Sequence, residues 1–190
     1  MANETIEILK LLIGSKGEPL SIRKISQIRK INYKSAYNAL KTLDKEGVAS
    51  LQRMGNSINC SFNDSFNDMV FEAEYLRRKD LFKNRDFLVI FNKLSSIKSL
   101  FVALLFGSWA KGTASKGSDM DVLTVGGDEK EIQSDLSLLP NKIHLTSISY
   151  DEFLSMAKSK EFSVVLEAMK NNIILIGIED YYRMIGNARQ

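Results

Sequence analysis

The sequence predicts an α+β protein in which a helical N-terminal region with one β-hairpin precedes a small mixed sheet covered by helices. Three observations lead to this prediction. Apolar residues recur at helical spacing through about the first 45 residues, and two short strand-like segments follow them. After residue 85, apolar runs of strand length alternate with helical patterns, as expected for a sheet with helices on its faces. A hydrophobic content of 44% and a charged content of 26% are ordinary for a globular protein.

Composition narrows the classes of protein to consider. A chain of 190 residues is long enough for one large domain or two small ones, each with its own core. It has no apolar run of membrane-spanning length and no signal-peptide pattern, so we expect a cytoplasmic protein without a membrane partner. A single cysteine, Cys60, excludes an internal disulfide framework and a cysteine-based zinc site.

Charge is distributed unevenly along the chain. Residues 1–60 hold ten Lys and Arg against five Asp and Glu, a net charge of +5, whereas residues 61–190 hold sixteen against eighteen, a net charge of −2. A basic first third is typical of a protein that binds a phosphate backbone, although a solvated surface can carry the same excess. The two parts of the chain are therefore expected to meet different partners.

Three helices are predicted in the basic region. The first covers Glu4 to Ile13, and the second covers Ser21 to Arg29, where isoleucines recur at helical spacing. Asn32 is a good N-cap for the third helix, which Gly47 ends. A hairpin with strands over residues 48–53 and 57–62 follows.

Three helices followed by a hairpin resemble a winged helix-turn-helix domain, and the resemblance covers residues 1–63. It implies that the third helix enters the major groove of double-stranded DNA and that the hairpin tip meets the backbone or minor groove. The same fold also serves protein contacts or dimerisation, which is the alternative. The side chains that the resemblance assigns to DNA are Tyr33, Lys34, Ser35, Tyr37, Asn38, Lys41, Arg53 and Asn56.

A connecting helix is predicted over residues 64–84, within a helical pattern that runs from Asn63 to Asn84. No Gly or Pro interrupts it, so a stiff connection is expected rather than a flexible linker. We expect the domain boundary near Lys83 to Asp86. The apolar stripe of this helix needs cover from the hairpin, the next domain or a second copy, so a homodimer is among the open partners.

The stretch with the clearest chemistry begins with an apolar strand, Phe101 to Phe106. It stops at Gly107-Ser108, and a helix is predicted to start at Trp109. A junction of strand, tight turn and helix directs backbone N–H groups and a hydroxyl at whatever lies above the turn, which suits a phosphate.

Two carboxylates follow ten residues after Ser108. Asp119-Met120-Asp121 leads into a second strand, Val122 to Val125, and residues two apart on a strand face the same side. Paired oxygen ligands beside a phosphate cradle suit Mg²⁺ bound to a nucleoside triphosphate. A solvated turn at the start of a strand is the alternative.

The pattern of Gly-Ser, ten residues and Asp-x-Asp resembles the signature of minimal nucleotidyltransferases of the DNA polymerase beta superfamily. The resemblance implies a nucleotidyltransferase domain over residues 85–190 that uses Mg²⁺ and a nucleoside triphosphate, with ATP favoured. Gly107 and Ser108 would hold the β- and γ-phosphates, and Asp119 and Asp121 would bind the metal. An acceptor hydroxyl would then attack the α-phosphate and release pyrophosphate.

Three further residues near the motif are candidates for contact with the nucleotide. Lys111 stands where the family tends to have Arg, so it either neutralises phosphate charge or is simply exposed. Lys116 and Ser118 precede the Asp pair and are close enough in sequence to touch the nucleotide.

After the motif, the sequence predicts the rest of a small sheet with its helices. The predicted elements are a helix over Glu129 to Leu139, a strand over Lys142 to Ser149, helices over Tyr150 to Lys158 and Glu161 to Lys170, a strand over Ile173 to Gly177 and a C-terminal helix.

One strand departs from the family pattern. Active members carry a third carboxylate on the strand after the Asp pair, but the strand over residues 142–149 has no Asp or Glu. On this strand, His144 is the obvious residue to face the active site and is our candidate for a catalytic base, with a structural histidine as the alternative. Asp151, at the end of this strand, is the other acid nearby.

Two classes of function stay open at this stage. The first is an enzyme that transfers a nucleotide to a hydroxyl acceptor on a protein, an RNA or a small molecule. The second is a DNA-binding transcriptional regulator whose nucleotidyltransferase domain is degenerate and serves as a nucleotide sensor or dimerisation module. The strand without a carboxylate favours the second class, and the intact Gly-Ser and Asp pair favours nucleotide binding in either.

Overall fold

The computed structural model describes residues 4–115, 117–159 and 163–189, and it has a mixed α+β fold. The chain divides into two compact units, residues 1–76 and residues 77–190. The division lies inside one helix, α4 (Asp68–Leu81), whereas the sequence analysis put the boundary near residues 83–86. Within the described residues, no helix is both long enough and apolar enough to cross a membrane.

The first unit consists of three helices, a hairpin and a short extra strand. Its elements in chain order are α1 (Glu4–Gly14), β1 (Leu20–Ser21), α2 (Ile22–Arg29), α3 (Tyr33–Lys45), β2 (Ala49–Met54) and β3 (Ser57–Phe62), followed by the beginning of α4. The strand order is β1-β3-β2, and both pairings are antiparallel. The three predicted helices and the hairpin are therefore present, and β1 was not predicted.

Side-chain caps fix the starts of the second and third helices. Ser21 accepts a hydrogen bond from the backbone N–H of Lys24, and Asn32 accepts one from Ser35. Asn32 is thus the N-cap that the sequence predicted. The core of this unit is built from apolar side chains of all three helices and of β3, including Ile8, Leu9, Ile25, Leu40, Leu43 and Cys60.

The fourth helix begins at Asp68, four residues later than the predicted start of the connecting helix at residue 64. Asn63 and Ser65 both donate side-chain hydrogen bonds to the Gly47 carbonyl, which holds this segment outside a helix. The Asn67 side chain then accepts a backbone N–H from the first turn of α4. These side-chain bonds to backbone compete with helix formation, and a periodicity pattern does not detect them, because the Gly47 carbonyl is 16 and 18 residues away in sequence.

The second unit is a four-stranded mixed sheet with helices on both faces. Its elements are α5 (Arg85–Ser96), β4 (Phe101–Phe106), α6 (Gly107–Lys111), β5 (Met120–Gly126), α7 (Glu129–Ser137), β6 (Ile143–Ile148), α8 (Tyr150–Lys158), α9 (Val164–Lys170), β7 (Ile173–Ile176) and α10 (Ile178–Ala188). The strand order is β6-β5-β4-β7, in which β5 and β6 are parallel and the other pairs antiparallel. The predicted start of α9 at Glu161 lies outside the described residues.

One face of this sheet packs on α5 and α7. Phe87, Ile90 and Leu94 of α5, with Ile132 and Leu136 of α7, form a buried cluster with strand residues from that face. The buried strand residues of the cluster include Ala103, Leu105, Met120 and Val122, and the partly buried Ile143 and Leu145 pack against it. Because side chains alternate along a strand, the residues between these point to the opposite face, toward α8, α9 and α10.

The C-terminal end of α4 is attached to the last strand of this unit. Arg77 donates a hydrogen bond to the Asn172 carbonyl at 2.6 Å, and Arg78 donates one to the Leu175 carbonyl at 2.8 Å. Both bonds run from a charged donor to a backbone carbonyl, one in β7 and one in the residue just before it. This part of α4 therefore belongs structurally to the sheet domain.

Candidate functional site

The turn after β4 brings the chain to the candidate site. The helix α6 begins at Gly107 itself, two residues earlier than predicted, and ends after five residues at Gly112. Gly107 is buried and has a φ of +69°, a backbone conformation that favours glycine. A Cβ atom built on Gly107 would overlap the Oδ2 atom of Asp121. Glycine is therefore required by both the backbone and the neighbouring carboxylate.

Asp121 lies at the centre of the candidate site. It is the second residue of β5, where it is registered with Phe106 of β4 on one side and with His144 of β6 on the other. Its side chain is 29% exposed, and its Oδ1 atom lies 3.3 Å from the Nδ1 atom of His144. The structure thus brings together Gly107, Asp121 and His144, which the sequence had selected separately.

Asp119 lies just before β5 and is more open to solvent. Its side chain is 59% exposed, and its Oδ1 atom lies 4.0 Å from the Nζ atom of Lys142. Lys142 stands two residues before His144, just as Asp119 stands two residues before Asp121. Asp119 and Asp121 therefore each lie beside a basic residue of the neighbouring parallel segment, Lys142 and His144 respectively.

The loop before Asp119 is fixed by the indole of Trp109. Its Nε1 donates a hydrogen bond to the Ser118 carbonyl at 3.2 Å, and its ring packs edge-on against Phe87 with centroids 5.1 Å apart. The Ser118 hydroxyl accepts the backbone N–H of Ser115 at 2.9 Å. The predicted nucleotide contact by Lys116 lies outside the described residues.

Lys111 and Ser108 are the remaining predicted residues of the glycine turn and its helix. Lys111 forms an ion pair with Glu167 of α9 at 3.0 Å, so its amine is directed toward that helix. The Ser108 carbonyl accepts the backbone N–H groups of Gly112 and Thr113, and these bonds close the short helix. The Ser108 side chain is half-buried and belongs to the same turn as Gly107.

Asp151 is separated from the candidate site by the length of the sheet. It lies in the first turn of α8, after the C-terminal end of β6, whereas His144 lies near the N-terminal end of that strand. A strand of six residues is about 20 Å long, so the two side chains lie at opposite ends of β6. Asp151 is therefore not a third carboxylate for the pair at Asp119 and Asp121.

The two carboxylates fit a divalent cation that is bound together with phosphate. In the described part of the chain, no group of three or more His, Cys, Asp and Glu side chains is arranged to hold a metal ion. Mg²⁺ normally keeps several waters and binds one or two carboxylates plus substrate phosphates, so two acids suffice when a triphosphate supplies the other oxygens. Asp121 Oδ2, held against the bare Gly107 backbone, is a hard oxygen donor of the required kind.

A cavity of about 440 Å³ lies next to the loop that precedes β5 and was not predicted from the sequence. Its walls come from the start of α5, the loop before β5 and the loop before β6. The lining residues include Asn84, Asp86, Trp109, Ser118, Asn141 and Lys142. Sequence analysis also did not assign Lys142; its position two residues before His144 was the signal that could have identified it.

The first unit carries the residues that the sequence assigned to DNA. Tyr33, Lys34, Ser35, Asn38 and Lys41 are exposed on α3, and Tyr37 is half-buried. The rings of Tyr33 and Tyr37 stack with centroids 6.5 Å apart, and Lys41 Nζ lies 5.4 Å from the Tyr37 ring centre. The predicted outward face therefore exists as a continuous surface of aromatic, amide and basic groups.

A groove of about 380 Å³ separates the start of α3 from the hairpin tip. It is lined by Tyr33 of α3, by Arg23 of α2 and by Met54 and Asn56 of the hairpin, among other residues. Arg53 is exposed, and its Nε donates a hydrogen bond to the Gly55 carbonyl at 3.3 Å, within the turn. Arg53 and Asn56 thus lie at the tip of the hairpin, as predicted.

Comparison with known families connects the second unit to a described domain. Residues 85–175 match the family model of the nucleotidyltransferase domain, and this range contains Gly107, Ser108, Asp119, Asp121 and His144. Neither a curated protein nor a solved structure matches the chain. The family match supports a nucleotidyltransferase domain in this part of the protein, and with it a function of the nucleotidyl-transfer type.

Proposed function

We propose that the second unit binds a nucleoside triphosphate, with ATP favoured, together with Mg²⁺ at the turn between β4 and α6. The observation that carries this proposal is the contact between the Gly107 backbone and the Asp121 carboxylate. Because Gly107 has no Cβ, the Asp121 carboxylate can lie directly against the backbone of the turn, which puts a metal-type oxygen donor next to the groups that would hold phosphate.

Different residues of the site would bind the phosphates and the metal ion. Gly107 and Ser108 would hold the β- and γ-phosphates through the turn, and Asp119 and Asp121 would hold Mg²⁺. The cation, when bound, neutralises charge on the phosphates and orients the α-phosphate for in-line attack. The buried turn and the anchored loop at Trp109 would keep these groups in position before the nucleotide arrives.

Transfer to an acceptor hydroxyl requires a base, and His144 is the candidate. The imidazole would accept the hydroxyl proton as the oxygen bonds to the α-phosphorus, and the bond from that phosphorus to the β-phosphate would break, which releases pyrophosphate. The Asp121 carboxylate near Nδ1 would orient the ring. This assignment makes the protein an enzyme that moves a nucleotide onto a hydroxyl-bearing acceptor.

A second candidate function is that of a DNA-binding regulator with a nucleotide-sensing domain. The observation that favours it is the lack of Asp and Glu in β6, the strand on which the family resemblance implies a third carboxylate; the residue in register with Asp121 is His144. The winged-helix resemblance of the first unit, with its exposed basic and aromatic α3 surface, supports DNA binding in either case. Dimerisation through this domain is a further expectation of the same hypothesis.

Calorimetric titration tests nucleotide binding directly. Wild-type protein is titrated with ATP and with each other nucleoside triphosphate, with Mg²⁺ and with a chelator. We expect binding that needs Mg²⁺ and is lost in Asp121→Asn and in the double variant Asp119→Ala with Asp121→Ala. Asp151→Asn is the matched control because it removes an exposed acid after the C-terminal end of β6, far from the candidate site. Binding that is indifferent to chelator, or equal in all variants, would contradict the proposal.

A transfer assay separates the enzyme from the sensor. α-Labelled ATP is incubated with the wild type alone, with RNA and with lysate proteins. Loss of a general base typically slows a reaction by about 10² to 10⁴, so the sensor hypothesis predicts weak or absent labelling. It also predicts that His144→Asp gains activity. Robust labelling by the wild type that is lost in His144→Ala would identify an enzyme with His144 as its base.

A further inference from the structure

Lys142 is placed beside the Asp pair by the backbone of the sheet. Its carbonyl accepts the backbone N–H of Met120 at 2.8 Å, which continues the parallel pairing of β5 and β6 by one position. Asp119 and Lys142 are therefore side by side, as Asp121 and His144 are in the next matching position. The Nζ atom of Lys142 lies 4.0 Å from the Asp119 Oδ1 atom.

The direction of the Lys142 side chain follows from strand alternation. Met120 belongs to the apolar cluster that faces α5 and α7, and Ile143 packs against this cluster. Residues adjacent to them in sequence point to the opposite face, so Lys142 and His144 share a face with Asp119 and Asp121. An amine on a long flexible side chain thus stands at the open side of the candidate nucleotide site.

The ion pair between Lys142 and Asp119 is loosely held. The two side chains are 83% and 59% exposed, and exposed ion pairs of this length contribute little to stability. The amine is therefore free to exchange its contact with Asp119 for one with a stronger anion. A phosphate oxygen is such an anion, and lysine binds phosphate as a compact point charge.

Lys111, the cation that the sequence favoured for this role, is held elsewhere. Its amine forms an ion pair with Glu167 at 3.0 Å, and both side chains are less exposed than those of Lys142 and Asp119. Moving Lys111 to the phosphates would leave the Glu167 carboxylate without this partner. A move of Lys142 would cost less, because the bound cation would replace it as the partner of the Asp119 carboxylate.

The charge of the site also differs from that of a site with three carboxylates. Two Asp residues and one Lys sum to −1, whereas three carboxylates sum to −3. Three carboxylates attract a second divalent cation, whereas the amine of Lys142 repels it. We infer that Lys142 binds the polyphosphate of the nucleotide and takes the place of a second metal ion, so that the site binds one divalent cation. This inference rests on the proposed function.

Nucleotide titration of the full chain tests the phosphate contact. Wild type, Lys142→Gln and Lys98→Gln are titrated with the α,β-methylene analogue of ATP in the presence of Mg²⁺. Lys98 is an exposed lysine that precedes β4, at the far end of that strand from Gly107. We expect Lys142→Gln to weaken binding about tenfold, because a charge-assisted contact is lost, and Lys98→Gln to bind like the wild type. Thermal unfolding of each variant checks that the fold is unchanged.

Manganese counting tests the second half of the inference. Mn²⁺ is titrated into the wild type with the same ATP analogue, and free Mn²⁺ is measured by electron paramagnetic resonance. We expect one bound ion per chain in the wild type and a second, weaker ion in Lys142→Glu, which adds an acid beside Asp119. Two ions per wild-type chain would overturn the inference.

The outcomes separate this inference from the proposed function. If the wild type binds the analogue and Lys142→Gln binds it equally well, the assignment of Lys142 is wrong and the nucleotide site stands. If the wild type does not bind the analogue at any Mg²⁺ concentration, the proposed function is wrong and the assignment of Lys142 falls with it.

Discussion

The indole Nε1 of Trp109 lies 3.2 Å from the Ser118 carbonyl oxygen and donates a hydrogen bond to it. This bond joins the first turn after β4 to the residue that immediately precedes Asp119. The two halves of the candidate site, the glycine turn and the carboxylate pair, are thus linked by a side chain of α6, the helix that begins at Gly107. Its partner on the other side is the ring of Phe87 in α5.

Trp109→Phe is expected to lower both stability and nucleotide affinity. The phenyl ring keeps an aromatic contact with Phe87 but cannot donate a hydrogen bond, which costs about 1 kcal/mol in the free energy of unfolding. ATP affinity should fall several-fold because the loop before Asp119 is released. Urea denaturation and calorimetric titration measure the two effects.

Tyr150→Phe is the matched control for Trp109→Phe. It removes the hydrogen bond that Asn187 donates to the Tyr150 hydroxyl at 2.7 Å, in the same unit but after the C-terminal end of β6. We expect a similar small loss of stability with unchanged ATP affinity. If both variants lose affinity equally, the loop anchor has no special role in the site.

Gly107→Ala is expected to abolish nucleotide binding, and Gly112→Ala is its control. Both glycines have a φ near +70°, so alanine at either costs about 1 to 2 kcal/mol in backbone strain. Only at Gly107 does the added Cβ meet the Asp121 carboxylate; nothing lies within 4 Å of a Cβ at Gly112. Titration with ATP and Mg²⁺ should therefore separate the two variants, whereas equal losses would trace the effect to strain alone.

The α3 surface is expected to bind duplex DNA with an affinity that falls steeply as salt rises. Lys34→Ala and Lys41→Ala should weaken binding to all sequences, because each lysine that neutralises a phosphate releases counterions. Asn38→Ala should instead change the preference among sequences, because an amide reads base edges. Gel shifts of the full chain over a range of salt measure this, with Lys98→Ala as the control.

Failure of the full chain to shift any duplex at low salt would make the α3 surface a protein-contact module. The same experiment with single-stranded DNA would then reveal whether the stacked Tyr33 and Tyr37 rings bind bases instead.

Stability should decline at alkaline pH because of Cys60. Burial, with a smaller contribution from the Asp44 charge, raises the pKa of the Cys60 thiol to about 11 from an ordinary value of 9.0. The unfolded chain therefore loses the thiol proton first, so the stabilising effect is complete below pH 9 and is lost as pH rises to about 11. The shift corresponds to at most about 3 kcal/mol.

Cys60→Ala isolates this effect from the other groups that titrate at high pH. The free energy of unfolding of wild type and variant is measured by urea denaturation from pH 8 to pH 10.5. We expect the advantage of the wild type to shrink steadily above pH 9. A difference that stays constant over this range would show that Cys60 does not ionise on unfolding.

The sequence predicted those parts of the fold that depend on local chemistry. The Asn32 cap, the strand over Phe101–Phe106 and the helix over Tyr150–Lys158 follow from side-chain hydrogen bonds, apolar runs and periodicity within a few residues. The late start of α4 was not predicted, since Asn63 and Ser65 bond to a carbonyl some sixteen residues earlier in the chain.

The candidate site was predictable in its residues but not in its contacts. Spacing selected Gly107 and Asp121, and the missing carboxylate drew attention to His144. Which side chains lie opposite each other depends on the register of β5 with β6, and a shift of one residue would have reversed every face. The ion pair of Lys111 with Glu167 could not be predicted either, because it depends on how α9 packs beside α6, 56 residues away in the chain.

The order of the strands has a consequence for how the second unit folds. Gly107, the Asp pair and His144 depend on the pairing of β4, β5 and β6, which follow one another in the chain. The last strand, β7, joins from the far side of β4, where Leu105 is registered with Ile173. Pairing β7 with β4 closes the long segment of chain between residues 105 and 173, which is entropically expensive and slow, so we expect β7 to dock late. The carboxylates can therefore be assembled before the sheet is complete, and amide exchange should be slower to gain protection in β7 than in β5.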